Sequence, residues 1–246
     1  MSVAPEKSPK KGHGHRYSSH PPPGLEYLAQ VDQLLVHQTT ELLEAVLGFE
    51  TNNKYVIKNS LGQQVYFAAE DTDCFTRNIC GRYRPFNMTI VDNSKREVIH
   101  LYRPLRCSSW MFPCCLQKIA VESPPGQIIG YVCQGWYVIF PHFYIQDENY
   151  NSILRIKGPL CPCSFCGDVK YNLTTMEGAI IGKITKQWSG ILKEALTDAE
   201  NFGVTFPVDL DVRTKAIVLA AVFLLDFMFF EDGPGDKDKK LSLFST

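Results

Sequence analysis

The chain has 246 residues, is 45% hydrophobic and 12% aromatic, and carries a formal net charge of −1. That supplies enough apolar side chain for a sizeable core, in a chain long for one average domain and short for two large ones. A charge this close to zero excludes a global field that would draw the chain to nucleic acid or to anionic lipid.

Residues 1–23 hold five prolines and three histidines, His13, His15 and His20, with almost nothing apolar. Such a segment cannot bury enough surface to offset chain entropy and reads as a disordered tail, its histidines solvated. Its charges are not followed by an apolar run, so it does not read as a secretory signal. The nine cysteines are therefore expected to be mostly reduced thiols, and an odd number cannot form a complete disulfide set within one chain. PPPG at 21–24 reads as a stop before the folded part, and the tail offers no PxxP or PPxY ligand.

From Leu34 onward the pattern is that of strands. LLVHQTTELLEAVLGF (34–49) supplies some, and YVIKNSLGQQVYF (55–67), MTIVDNSKREVIHLY (88–102) and FYIQDENYNSILRI (143–156) each read as a hairpin. In each, β-formers alternate with polar residues on both sides of a turn rich in Asn, Asp, Ser or Gly. An internal repeat underlies the middle of the chain. IAVESPPGQIIGYVCQGW (119–136) aligns without a gap to YNLTTMEGAIIGKITKQW (171–188), and MTIVDNSKREVIHLYRP (88–104) aligns to FYIQDENYNSILRIKGP (143–159). Residues 88–136 and 143–188 thus read as two copies of a four-stranded unit. Ten or more short antiparallel strands bury a continuous apolar face by curling shut, which also removes the exposed edges, and a barrel this wide needs something to fill it.

SGILKEALTDAENFG (189–203) reads as an amphipathic helix capped by Ser189 and stopped at Gly203, and VTFPVDLDV (204–212) as extended. AIVLAAVFLLDFMFF (216–230) is apolar all round, with Asp211 as its N-cap and Gly233-Pro234 as its stop. At about 1.5 Å per residue it spans roughly 22 Å, short of the ~30 Å hydrocarbon layer. A helix apolar on every face sits either in lipid or inside protein. Asp226 is costly in lipid and could meet a hydroxyl or backbone donor inside the barrel, so the barrel interior is the preferred place and a membrane span the alternative.

PPGLEYL (22–28), GFETNNKY (48–55), AAEDTDCFTRN (68–78), RPLRC (103–107), NFGVTFPVDLDV (201–212) and FLLDFMFFE (223–231) resemble the phospholipid scramblase family, over about Pro22 to Glu231. The resemblance implies a mainly β, Tubby-like fold: a closed twelve-stranded barrel around the hydrophobic C-terminal helix. The domain plan is then a tail at 1–23, a barrel domain at 24–232 with its helix at 212–231, and a polar tail at 233–246. The implied activity is calcium-activated, ATP-independent movement of phospholipids between leaflets, without covalent catalysis. The absence of a Walker A loop agrees with ATP independence. The alternative is a lipid-anchored, calcium-responsive binding module without scrambling activity.

The same resemblance places a calcium site at Asp198, Glu200, Asp209 and Asp211. Calcium takes six to eight oxygens, and these four carboxylates offer a start. As an EF-hand loop the segment is poor: from Asp198, Gly203 falls at the glycine position, but Phe202, Val204 and Phe206 stand at ligand positions. Cys114 and Cys115, with Cys107 upstream, occupy the family's thioester-acylated link, and two acyl chains hold a protein to a bilayer where one does so marginally. Cys161, Cys163 and Cys166 form a second lipid or packing cluster, poor for zinc, which wants four ligands. Lys183, Lys186 and Trp188 match a nuclear-import segment. The repeat reads them instead as a strand with both lysines outward. The implied location is the cytoplasmic face of the plasma membrane with a minor nuclear pool. The implied partners are membrane phospholipids and a homo-oligomer, with little case for SH3 or WW domains and none for nucleic acid.

Overall fold

The structure, a computed structural model, describes residues 21–39, 53–106, 112–137, 139–159, 169–187 and 201–231. These form twelve strands: β1 (Gln33–Thr39), β2 (Lys54–Asn59), β3 (Gln64–Asp71), β4 (Phe86–Asp92), β5 (Glu97–Arg103), β6 (Lys118–Glu122), β7 (Ile128–Gln134), β8 (His142–Asp147), β9 (Ser152–Lys157), β10 (Val169–Thr175), β11 (Ile180–Gln187) and β12 (Asn201–Thr205). Each strand pairs antiparallel with its sequence neighbour, and β12 closes on β1 through Gln33↔Thr205 to His37↔Asn201. Full closure leaves no strand edge. A short helix α1 (Cys74–Cys80) follows β3, and the central helix α2 (Val212–Leu225) runs on into one π turn, Asp226–Phe230.

Antiparallel neighbours force the connections to alternate between two ends of the barrel. Five tight turns lie at one end and share one geometry. The residue opening each of three of them, Asn59, Asp92 or Asp147, accepts hydrogen bonds on its side-chain oxygen. The donors are the backbone N–H groups two and four residues on, at 2.8–3.0 Å. The fourth residue turns into the left-handed region: Gly62, Gly126 and Gly178 do so freely, and Lys95 (φ 62°) and Tyr150 (φ 65°) do so despite a Cβ. The expected hairpins at 55–67, 88–102 and 143–156 are these turns with their strands. The other end, here called the rim, carries the longer connections, α1 among them.

α2 fills the barrel. Asp211 caps it, accepting from Thr214 N at 2.9 Å, and every residue from Thr214 to Leu225 is buried. Inward residues of the strands, such as Ile57, Ile90, Val121, Ile145, Leu173 and Val204, form one core with Ile217, Leu219, Val222 and Phe223. The choice for residues 216–230 is thereby decided in favour of the barrel interior. No helix among the described residues is long and apolar enough to cross a membrane.

Two expectations need correction. The amphipathic helix expected to end at Gly203 does not: Asn201–Thr205 is β12, and Gly203 pairs with Leu35 and Thr185. The barrel needs this strand to close between β11 and β1, and its period of two is visible in Phe202, Val204 and Phe206, all buried. Residues 189–200 lie outside the described residues. The segment expected to be extended to residue 212 leaves the strand at Thr205 and bends at 208–210. At the front, Pro22 is already buried, and its carbonyl accepts from Leu25 N at 3.0 Å.

Candidate functional site

Three places could carry function: the two ends of α2 and the rim. At the rim end, β3 turns Glu70 inward in the same phase as Tyr66 and Ala68, and the residue enters the barrel as a fully buried carboxylate. Arg84, just before β4, answers it. Its Nε donates to Glu70 Oε1 at 2.6 Å and its Nη2 to Oε2 at 2.9 Å, while Nη1 and Nη2 donate to Glu231 at 2.7 and 2.8 Å. One guanidinium thus joins the barrel wall to the residue after the π turn, with its Cζ 4.6 Å from the centre of the Phe227 ring. Burial works against the charge of Arg84, but the hydrogen bonds to Glu70 and Glu231 hold its pKa above the ordinary arginine value. Asn53 Nδ2 adds a bond to Glu70 Oε2 at 2.6 Å. Nearby, Arg103 donates twice to Gln117, and burial, helped by repulsion from Arg84, brings its pKa down to about 10.

Asp226 sits one turn earlier. It accepts from Tyr55 OH at 2.8 Å and lies 3.7 Å from Lys186 Nζ, both residues buried. The hydroxyl expected for Asp226 is therefore Tyr55, whose phenol is pushed well up by burial and then by the Asp226 charge. Lys186 is a correction. It was expected outward with Lys183, yet the two stand three apart on one strand and must face opposite sides. Lys183 is exposed, Lys186 is buried, and Trp188 lies outside the described residues.

At the turn end, Lys215 is fully buried and its Nζ donates to three backbone carbonyls, Leu28 at 2.9 Å, Val31 at 2.8 Å and Val208 at 2.7 Å. All three ammonium donors are used. Burial lowers its pKa, opposed by Asp209, Asp32 and Asp211. Asp209 is exposed in the bend before α2, and Asp211 spends Oδ2 on Thr214 N and Oγ1. Asp198 and Glu200 lie outside the described residues. They precede β12, which starts at the rim, whereas Asp209 and Asp211 follow it at the turn end. The strand runs through the middle of the expected loop, so Phe202 and Val204, puzzling as calcium ligands, are inward side chains of a barrel strand, and Phe206, the residue after it, is buried as well. Among the described residues, no three His, Cys, Asp or Glu side chains converge where a metal ion could sit.

On the rim, a 3₁₀ turn (Pro113–Cys115) presents Cys114 to solvent and buries Cys115, their sulfurs 3.9 Å apart. Arg106 fixes the turn by donating to the carbonyls of Cys114 (3.3 Å) and Leu116 (2.9 Å). Cys107, Cys161, Cys163 and Cys166 lie outside the described residues. Sequence reading missed Glu70, Arg84, Glu231 and Lys215. Glu70 alone left a signal, as an acid in the apolar phase of a strand.

A family model described as Scramblase matches residues 14–232, which takes in every strand and α2. The chain belongs to the Scramblase family. It is similar to phospholipid scramblase 1 of Mus musculus, 61% identical over 211 residues, covering 85% of this chain and 64% of the relative. To phospholipid scramblase 1 of Homo sapiens it is 59% identical over 220 residues, covering 89% of this chain and 69% of the relative. To phospholipid scramblase 2 of Bos taurus it is 58% identical over 216 residues, covering 87% and 74%. The chain spans about two thirds of the length of these relatives. No solved structure matches it. The match takes in the whole barrel of this chain with its central helix.

Proposed function

We propose that this chain moves phospholipids between bilayer leaflets, in both directions, without ATP and without covalent catalysis. The observation that carries the reading is the scramblase match over the whole barrel, joined to 58–61% identity with proteins named phospholipid scramblases. The filled core constrains how. With α2 buried on every face, a lipid headgroup has no path along the barrel axis beside it. Lipid then moves around the outside of the molecule, in bilayer disturbed locally or between copies of a homo-oligomer.

Calcium is the proposed activator. The strand β12 stands in the chain between Asp198 and Glu200 on one side and Asp209 and Asp211 on the other, and ion binding by one of these pairs with neighbouring oxygens is the form proposed. Calcium titration of Asp198→Ala and Asp209→Ala proteins is expected to weaken binding in one variant and leave the other like the parent. Equal loss in both would instead mean a single cage drawing on all four. Acylation is proposed at Cys114 on the cytoplasmic face of the membrane. Hydroxylamine-sensitive lipid label is expected to fall several-fold in Cys114→Ser and little in Cys115→Ser, whose sulfur is buried.

The filled interior also favours a second reading, a lipid-anchored, calcium-responsive binding module. The deciding assay is purified protein in liposomes with a reducible fluorescent lipid. Faster loss of inner-leaflet signal on adding calcium is expected; binding without acceleration would leave the module reading.

A further inference from the structure

Among the described residues, seven large apolar side chains stand exposed around one end of the barrel: Phe75 and Ile79 on α1, Leu105 and Phe112 between β5 and β6, and Trp136, Ile139 and Phe140 between β7 and β8. Their exposures run from 53% to 74%. The three connections follow one another around the rim, because β3 to β8 are consecutive in the sheet. α1 is the most telling of them. Asp73 Oδ1 accepts from Thr76 N at 2.8 Å at its start, and Phe75 and Ile79, four apart, lie on one face. A helix on a watery surface turns such a face inward; here it turns outward. The other two connections are also held in place. Cys115 N donates to Phe112 O at 2.9 Å under the Arg106 clamp, and Gly135 N donates to His142 O at 2.8 Å.

The turn end also shows apolar side chains: Tyr27, Leu61, Ile128, Met176, Ile180 and Val208 are exposed there, and Tyr150 is 53% exposed while it stacks on Tyr131 at 4.4 Å and 5°. The kind of side chain sets the rim apart. Among the described residues it holds the exposed phenylalanines and the exposed tryptophan, whereas the turn end mixes aliphatic residues and tyrosines with the charged tips Lys95, Arg96, Glu148 and Glu177. An array of separate apolar tips around an end that includes a tryptophan fits the boundary between lipid headgroups and acyl chains, where amphipathic aromatic rings settle. It does not fit a protein partner equally well, since the tips are divided among three connections and make no single groove. Charge on the rim is mixed: Asp71 and Asp73 are exposed, and the Arg106 guanidinium is spent on carbonyls. With a net charge of −1 the chain gains little from anionic lipid.

We propose that the rim end of the barrel is a membrane-insertion surface, in which Phe75, Ile79, Leu105, Phe112, Trp136 and Phe140 enter the interface of a phospholipid bilayer by hydrophobic burial. The inference deepens the scramblase reading and rests on its premise that the chain works at membranes. It places the barrel axis across the interface, with the rim down, Cys114 beside the acyl chains and the tight turns in water.

The test is co-sedimentation of the full, unacylated, calcium-free chain with phosphatidylcholine vesicles. Phe75→Ser with Ile79→Ser, and Trp136→Ser with Phe140→Ser, are each expected to lower the partition coefficient by about tenfold or more, given the area each pair withdraws from water. Leu61→Ser with Met176→Ser, at the opposite end, is expected to bind like the parent. Raising salt from about 0.05 to 0.5 M, which collapses the screening length, is expected to change binding by less than about twofold. As a readout independent of those variants, Trp136→Phe is expected to lower the part of the fluorescence that bromine-labelled acyl chains quench. Rim variants that bind like the parent, a turn-end variant that loses as much, binding abolished by salt, or a parent that ignores the vesicles would each overturn the proposal. Lipid movement is measured in parallel. A parent that docks by the rim and moves no lipid removes the scrambling reading and leaves this one standing. Rim variants that fail to dock yet move lipid do the reverse.

Discussion

Asp226 is the only charged side chain between Lys215 and Glu231, and it is buried. A carboxylate there persists because Tyr55 donates to it and Lys186 stands beside it. Removing one member of a buried pair strands the other charge, at about 3–5 kcal/mol, whereas replacing both with apolar groups of similar size can be neutral. Asp226→Ala should therefore lower the unfolding free energy in urea by about 3 kcal/mol. Lys186→Met combined with Asp226→Leu should recover most of it. A double variant no better than the single one would refute the pairing. Tyrosines set a second expectation. Burial raises the phenol pKa of Tyr55, Tyr66 and Tyr171 above the ordinary value of 10.0. Above that value the unfolded chain gives up these protons while the folded chain keeps them, so the stability they contribute is present below pH 10.0 and falls as pH rises beyond it. Arg103, lowered to about 10, works in the opposite sense as one group against three. Tyrosinate absorbance should lag the model phenol and then appear together with loss of near-ultraviolet circular dichroism; smooth titration at constant fold would contradict this.

The recurrent turn is the clearest element-scale feature. Its fourth position demands a left-handed backbone, which Gly62, Gly126 and Gly178 adopt at no steric cost. Lys95 adopts it at about 1 kcal/mol or more, with its side chain in solvent. Lys95→Gly should therefore raise stability by about 0.5–1 kcal/mol, set against the added freedom of the unfolded glycine. Tyr150→Gly should not, because Tyr150 also stacks on Tyr131 and accepts from Lys118 Nζ at 2.9 Å. Thermal melting of the two variants separates these outcomes. Glycine also matters where elements touch. A Cβ on Gly182 would meet Thr205 O of β12, and one on Gly130 would meet Gln146 O and Ile217 Cδ1 of α2. Both positions fall within the glycine-bearing segments that the sequence aligns with each other, and both lie where a strand is approached too closely for any side chain.

At the scale of the molecule, α2 is locked at both ends. Lys215 ties its start to the carbonyls of Leu28, Val31 and Val208, and Arg84 ties the chain after the π turn, at Glu231, to Glu70 of the wall. Moving this helix into a bilayer would expose the inward face of twelve strands and break both locks, so the same segment does not alternate between plugging the barrel and crossing a membrane. A cysteine at Leu219, in the middle of α2, should resist a membrane-permeant maleimide in native membranes and react only after denaturation. Rapid labelling of Leu219→Cys from either side would place the helix elsewhere.

Much of this was legible in the sequence. Period-two runs broken by Asn, Asp and Gly turns give antiparallel hairpins because alternation and turn chemistry are local. A run apolar on every face and capped by Asp211 gives a helix that must be enclosed, and its length and Asp226 favour protein over lipid, but the barrel itself decided between the two. Only the tertiary structure decided that Phe202 and Val204 line a closing strand rather than a loop, because that strand joins β11 to β1, and β1 is distant in sequence. It alone paired Glu70 with Arg84 and Glu231, and turned Lys186 towards Asp226. Which buried charge meets which depends on barrel closure and on the depth at which α2 stops, and neither is encoded within any one segment.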